Sequence, residues 1–385
     1  GQTITSAPTA RSTSNFSLDC LSFETQINLY PLTIAAKASP IPVFPEVPSI
    51  MVPPGCNRPS ASASSIICNA MRSFTEFPGL NVSYFASTKQ GNSSVNLFNL
   101  PADFYCSYSE FQDLKKIGIN RLSIGVQSLN DKNLKFLGRL HNSMNAKVAV
   151  EHAAKTFNNV SVDLIYALHG QKILEWTNEL EEFLENNNLQ HLSLYQLTIE
   201  QGTKFFTDYK KGLLNVIDND HAADFYKVSN KILKNHNFFK YEVSNYAKKG
   251  FECKHNLNYW KSENWIGIGP GAYGRIWSSK SNIKRVEYQN YKNPKTWLSK
   301  NFNKSQFEKT NFFNSTTSDI DTLTMGLRLY EGIETFKLYD KSIIENDAFK
   351  ELQNRNVIKI KNGFLKVNKN YMIKLNSIIN FLINP

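Results

Sequence analysis

The five cysteines are too scattered to suggest a metal site. Cys20, Cys56, Cys68, Cys106 and Cys253 form no C-x-x-C and no C-x-x-x-C-x-x-C, so no cysteine-held zinc or iron–sulfur site can be read from them. Their odd number and loose spacing argue against a disulfide framework. No apolar run reaches the ~20 residues that a membrane-spanning helix needs. The first residues, Gly1-Gln2-Thr3, have no initiator Met, basic n-region or clean apolar h-region. A signal peptide is not expected, a cytoplasmic location is the default, and the missing Met suggests a fragment. There is also no long basic block. The net charge of +11 is spread among asparagines and isoleucines and reads as a solvated surface, so nucleic acid is not the expected partner. Small acidic ligands, such as porphyrins bearing propionates, remain compatible with it.

Charge is also unevenly placed. Residues 1–107 hold ten charged side chains, five of each sign, so the whole net charge belongs to residues 108–385. Residues 1–107 also hold 11 of the 14 prolines and 17 serines. Pro40-Ile41-Pro42-Val43-Phe44-Pro45-Glu46-Val47-Pro48 cannot be helical, because each proline lacks a donor and clashes with the preceding turn. Residues 1–107 are therefore expected to be irregular or disordered. At 385 residues the chain is long enough for two domains with sizeable cores. The expected division is 1–107, an α/β body at 108–300, and a small C-terminal domain at 301–385.

Order begins near residue 108. Helices are expected at Tyr108–Ile117, from Asp131 to Leu137, through Ala146–Phe157 and at Ile173–Asn186, with buried strands at Ile119–Gln127, Val160–Leu168 and Leu189–Leu197. That alternation predicts parallel strands joined by crossover helices, with functional residues at the strands' C-terminal ends. A long helix at Asp218–Asn235 and a short strand at Tyr241–Tyr246 follow. Further on, helices at Ile320–Tyr330, Ala348–Arg355 and Met372–Leu382 surround a hairpin at Val357–Val367 that turns at Asn362-Gly363, the pattern of a winged-helix-like α+β domain.

Several polar residues stand out. Gln127 ends the first strand, Arg139 follows the short helix, and Asp163 lies inside an otherwise apolar strand. Burying that acid is costly unless it is paired. It can hold a ribose-like hydroxyl pair, or it can pair with Arg139 as structure. The run Gly267–Gly274 lacks a following Lys-Ser/Thr, so it is not a phosphate loop; its glycines point to close backbone approach or a bulge. His255-Asn256-Leu257-Asn258-Tyr259-Trp260 sets one imidazole beside aromatic surface, which is what a porphyrin needs: a nitrogen for the iron and flat faces for the ring. The plainer alternative has His255 capping a turn and the aromatics in the core.

Gly118–Ser128, Leu137-Gly138-Arg139-Leu140-His141, Val162–Tyr166, Leu192–Gln196, Tyr241–Tyr246, His255–Trp260 and Gly267–Gly274 together resemble the oxygen-independent coproporphyrinogen oxidase-like branch of the radical S-adenosylmethionine (SAM) proteins. Within it, His255–Trp260 matches the heme chaperone group. The resemblance covers about residues 109–385. It implies a partial (β/α) barrel and a C-terminal domain, with Gln127, Arg139 and Asp163 at SAM-contacting positions. It also implies that His255, Asn256, Tyr259 and Trp260 form a heme motif, with His255 on the iron. Heme and a heme-accepting respiratory protein are the implied partners, and a homodimer is left open.

The resemblance fails upstream. The three cysteines expected to hold a [4Fe–4S] cluster, and a GGGT-type loop, do not occur in residues 1–107. Ile119–Gln127 would be the barrel's fourth strand, with the first three missing or unrecognisable. The composition break suggests translation in a shifted reading frame. Four readings compete: a heme chaperone without SAM chemistry, a porphyrinogen-oxidising radical SAM enzyme, a nucleic-acid binder using the terminal winged-helix-like domain, and the inactive product of a damaged gene. No catalytic residue is assigned.

Overall fold

The computed structural model describes residues 97–101, 108–116, 118–265, 267, 269–278, 282–300 and 307–384. The reading of residues 1–96 lies outside these. Four strands run parallel: β1 (Leu97–Pro101), β2 (Arg121–Gln127), β3 (Val160–Tyr166) and β4 (His191–Gln196). Two short strands, β5 (Phe239–Lys240) and β6 (Asn245–Ala247), continue the sheet antiparallel in the order β1-β2-β3-β4-β6-β5. Two expectations need correction. The sheet begins before the composition break, because Leu97–Pro101 pairs with Arg121–Gly125. Tyr241–Tyr246 is not one strand; a turn at 241–244 separates β5 from β6.

Alternation along the strands decides how the sheet is used. Leu122, Ile124, Val160, Val162, Leu164, Leu192 and Leu194 join one buried apolar cluster. That cluster is completed by α1 (Tyr108–Lys116), α3 (Ser143–Thr156), α4 (Ile173–Asn186) and α6 (Asn219–Asn235). The intervening residues Arg121, Ser123, Ser161, Asp163, His191, Ser193 and Tyr195 make the other face polar. A parallel sheet covered by helices on both faces would be apolar on both. This one is apolar only toward its helices, as in a barrel whose lumen serves a ligand.

Helix ends follow local chemistry. Asn130 caps α2 (Asp131–Phe136) by accepting from the Lys132 and Asn133 amides, and Asp218 caps α6 by accepting from His221. Gly138, with φ of 69°, ends α2: its amide bonds to Lys135 O and the Arg139 amide to Leu134 O, a Schellman arrangement that fixes where Arg139 leaves the helix.

A second sheet, β7 (Tyr273–Trp277), β8 (Arg285–Asn290) and β9 (Phe307–Phe313), is antiparallel in that order and runs past residue 300. Two glycines at its start, Gly267 and Gly274, serve close approach, whereas Gly269 and Gly271 take positive φ. A Cβ on Gly267 would strike the Tyr273 carbonyl, and one on Gly274 the Tyr288 ring.

The chain ends in a winged-helix-like α+β unit with its own core. It comprises α9 (Ser315–Gly326), α10 (Asp347–Asn354), α11 (Leu375–Ile383) and the sheet β10 (Ile333–Glu334), β12 (Phe364–Val367), β11 (Ile358–Lys361). Asn362 and Gly363 both take positive φ, 53° and 76°, which a two-residue hairpin turn with the twist of its strands requires. The last helix begins later than its pattern suggested, because Lys369–Lys374 forms a 3₁₀ turn first.

Candidate functional site

The polar face of the first sheet is built around Asp163. In register it lies beside Ser193, and Ser123 Oγ donates to its carboxylate at 3.2 Å. Burial pushes its pKa up to about 6, against the Ser193 and Ser123 hydrogen bonds and the positive charge of Arg121, all of which lower it. Of the two roles the sequence left open, pairing with Arg139 is not the one seen: serines hold Asp163, and the cation acting on it is Arg121. Arg121 is buried and donates to Asn159 Oδ1 at 2.7 Å and to Phe251 O at 3.1 Å.

Gln127 closes β2 with φ of 68°, after a bulge between Ile124 and Gln127. Non-glycine residues seldom hold such a backbone. Its Oε1 is buried without a hydrogen-bond partner among the described residues. An orphaned acceptor at a strand's C-terminal end suits a donor group on a ligand. A cysteine-held cluster does not fit. The sequence has no suitable thiolate spacing, and Cys253 is the one free cysteine among the described residues.

Next to this face lies α7 (Lys254–Trp260), which carries the proposed heme motif. His255 is not a turn cap; Cys253 holds the N-cap position and His255 is the second residue of the helix. Helical spacing places His255 and Tyr259 together, with ring centroids 4.7 Å apart and nearly perpendicular. Tyr259 meets Trp265 edge-on at 4.6 Å. Burial, aided by Arg121, lowers the pKa of His255 to about 4. The imidazole is therefore neutral at pH 7, the form that ligates iron. Asn256 Nδ2 donates to the Tyr241 hydroxyl at 3.4 Å, and the Arg328 guanidinium lies 5.6 Å from the Trp260 ring.

Sequence reading missed Arg121, Ser123, His191, Ser193 and Tyr241. His191 Nδ1 lies 2.7 Å from Ser161 Oγ and its Nε2 2.8 Å from the Tyr241 hydroxyl, which links the polar face to α7. The signal was available in part, because His191-Leu-Ser193-Leu-Tyr195 alternates polar and apolar residues. Tyr241, in a turn, gave none.

No protein-family model matches the chain. The heme chaperone HemW of Buchnera aphidicola (subsp. Schizaphis graminum) is 35% identical over 262 residues, 67% of this chain and 65% of that protein. The zebrafish mitochondrial radical SAM domain-containing protein 1 is 36% identical over 228 residues, 58% of this chain and 51% of that protein. The chain is similar in sequence to these two proteins. HemW of Lactococcus lactis is 42% identical over 159 residues, 41% of this chain. The chain spans about half the length of most curated relatives it matches. Its fold is similar to that of Escherichia coli coproporphyrinogen III oxidase, a radical SAM enzyme, with a TM-score of 0.58, 14% identity and coverage of 75% of this chain and 69% of that one. No helix among the described residues is long and apolar enough to cross a membrane.

Proposed function

We propose that the chain binds heme at α7, with the His255 imidazole on the iron and Tyr259 and Trp260 against the macrocycle, and passes it to a heme-accepting protein. The observation that carries this reading is the neutral, half-buried His255 set edge-on against Tyr259, beside relatives named as heme chaperones. A neutral imidazole is the form that ligates iron, and aromatic neighbours favour a flat apolar ligand.

SAM binding by Gln127, Arg139 and Asp163 is a second part of the proposal, supported by the orphaned Gln127 oxygen. Radical cleavage of SAM is not, because it needs an electron from a cluster whose thiolates this sequence lacks. Iron and sulfide reconstitution is expected to yield no 5′-deoxyadenosine; clear production would restore the porphyrinogen-oxidising alternative. A division of the chain after β9, rather than at residue 300, and a cytoplasmic location belong to the same proposal. The animal relatives are named as mitochondrial, so cell fractionation decides the latter.

The direct test is a heme titration of the full chain and of His255→Ala. The expected result is at least about tenfold weaker binding, since even supporting residues of metal sites commonly account for 10–100-fold. Unchanged affinity and absorption spectrum would remove the assignment.

A further inference from the structure

We propose that Tyr241 is a positioning residue for the heme helix, its hydroxyl tying α7 to the polar face of the sheet on both sides of His255; this rests on the heme reading above. Three groups converge on that hydroxyl. The Cys253 amide donates to it at 3.3 Å, Asn256 Nδ2 donates at 3.4 Å, and His191 Nε2 lies at 2.8 Å.

Counting donors fixes the direction of the network. A phenol has one hydrogen and two lone pairs. The two N–H donors from the helix occupy the lone pairs, so the hydroxyl hydrogen goes to His191 Nε2. His191 then carries its proton on Nδ1 and donates to Ser161 Oγ at 2.7 Å. A doubly protonated His191 would set a second N–H against an oxygen already filled. The imidazole's buried place near Arg121 agrees with this, since both hold it neutral.

The helix needs such an anchor. At seven residues α7 is too short to be stable alone, and its N-cap Cys253 makes no side-chain cap bond. Tyr241 is itself fixed at both backbone ends. Its amide donates to Asn245 O at 3.3 Å, and its carbonyl accepts from the Tyr330 amide at 3.1 Å, within the C-terminal unit's approach to the sheet. The grips on residues 253 and 256 bracket His255, so the hydroxyl sets the angle at which the imidazole is presented.

The test is a double-mutant cycle in the full chain, with hemin as the probe. Tyr241→Phe removes only the hydroxyl. It is expected to weaken hemin binding about tenfold, the size of one to two net hydrogen bonds, and to shift the Soret band. In a His255→Ala background the same change is expected to alter affinity less than about twofold, because the effect travels through His255. His191→Gln keeps an acceptor for the hydroxyl and should stay near wild type, whereas His191→Leu should behave as Tyr241→Phe does. Wild-type affinity and spectrum in Tyr241→Phe, or an equal loss in the His255→Ala background, would overturn the proposal. If His255→Ala alone binds hemin normally, the heme reading is what has failed. Hydrogen exchange at the Cys253 amide in heme-free protein then still tests the anchor: faster exchange in Tyr241→Phe supports it, and unchanged exchange rejects it.

Discussion

Ser123 Oγ donates to the Asp163 carboxylate at 3.2 Å, and with Ser193 it makes two neutral hydroxyls the partners of a half-buried acid. Hydroxyls repay less of the desolvation cost than a cation would, which is why burial wins and the pKa rises to about 6.

That shift has a sign that can be tested. Unfolded, Asp163 ionises near its ordinary 3.8; folded, it keeps its proton to about 6. Its contribution to stability is therefore greatest below pH 4, falls between about pH 4 and 6, and stays low above. Asp163→Asn keeps the shape without the charge. It is expected to stabilise the protein at pH 8 by up to about 3 kcal/mol and to be neutral or mildly destabilising at pH 4. Urea denaturation at the two pH values checks this; equal destabilisation at both would refute the electrostatic account.

The second sheet is locked to the C-terminal unit by buried charge. Arg275 bonds Glu287 and Asp321 at 2.6 Å each, and Arg285 bonds the other Asp321 oxygen at 2.6 Å. Asp321→Ala would leave the buried Arg285 without its carboxylate partner and Arg275 with Glu287 alone. A loss of about 3–5 kcal/mol is expected from chemical denaturation, against a far smaller one for the exposed Glu151→Ala. Similar losses for both would show that burial is not what gives this network its weight.

Two glycines with similar backbones should respond differently to alanine. Gly332 has φ of 81°, and a Cβ there would strike the Leu365 carbonyl; Gly363 has φ of 76° and open space. Gly363→Ala pays only the backbone strain, about 1–2 kcal/mol, while Gly332→Ala adds a clash with main chain and should cost distinctly more. Comparing melting temperatures of the two variants settles it.

Much of this architecture was legible in the residues. Periodicity placed α4 at Ile173–Asn186 to the residue, and Asn130, Gly138 and Asn362-Gly363 marked their caps and turn because each supplies a specific backbone group or dihedral. The strand at Leu97–Pro101 was not legible: a five-residue strand in a segment poor in charge carries too little pattern to stand out from loop. At the site, Gln127, Asp163 and His255 were visible as polar residues in apolar or aromatic settings. Arg121 and His191 were absorbed into apparent core strands, since alternation over six or seven residues does not say whether the second face meets protein or a ligand. Tyr241 acts through a hydroxyl that reaches residues 12 and 50 positions away, and nothing local encodes such a contact.

The central claim, that His255 is the heme ligand, is tested most directly by absorption and magnetic circular dichroism of heme-loaded chain and of His255→Ala with and without added imidazole. The expected result is loss of the histidine-ligated spectrum in the variant and its return when imidazole is supplied. A wild-type spectrum in His255→Ala before any imidazole is added would contradict the account.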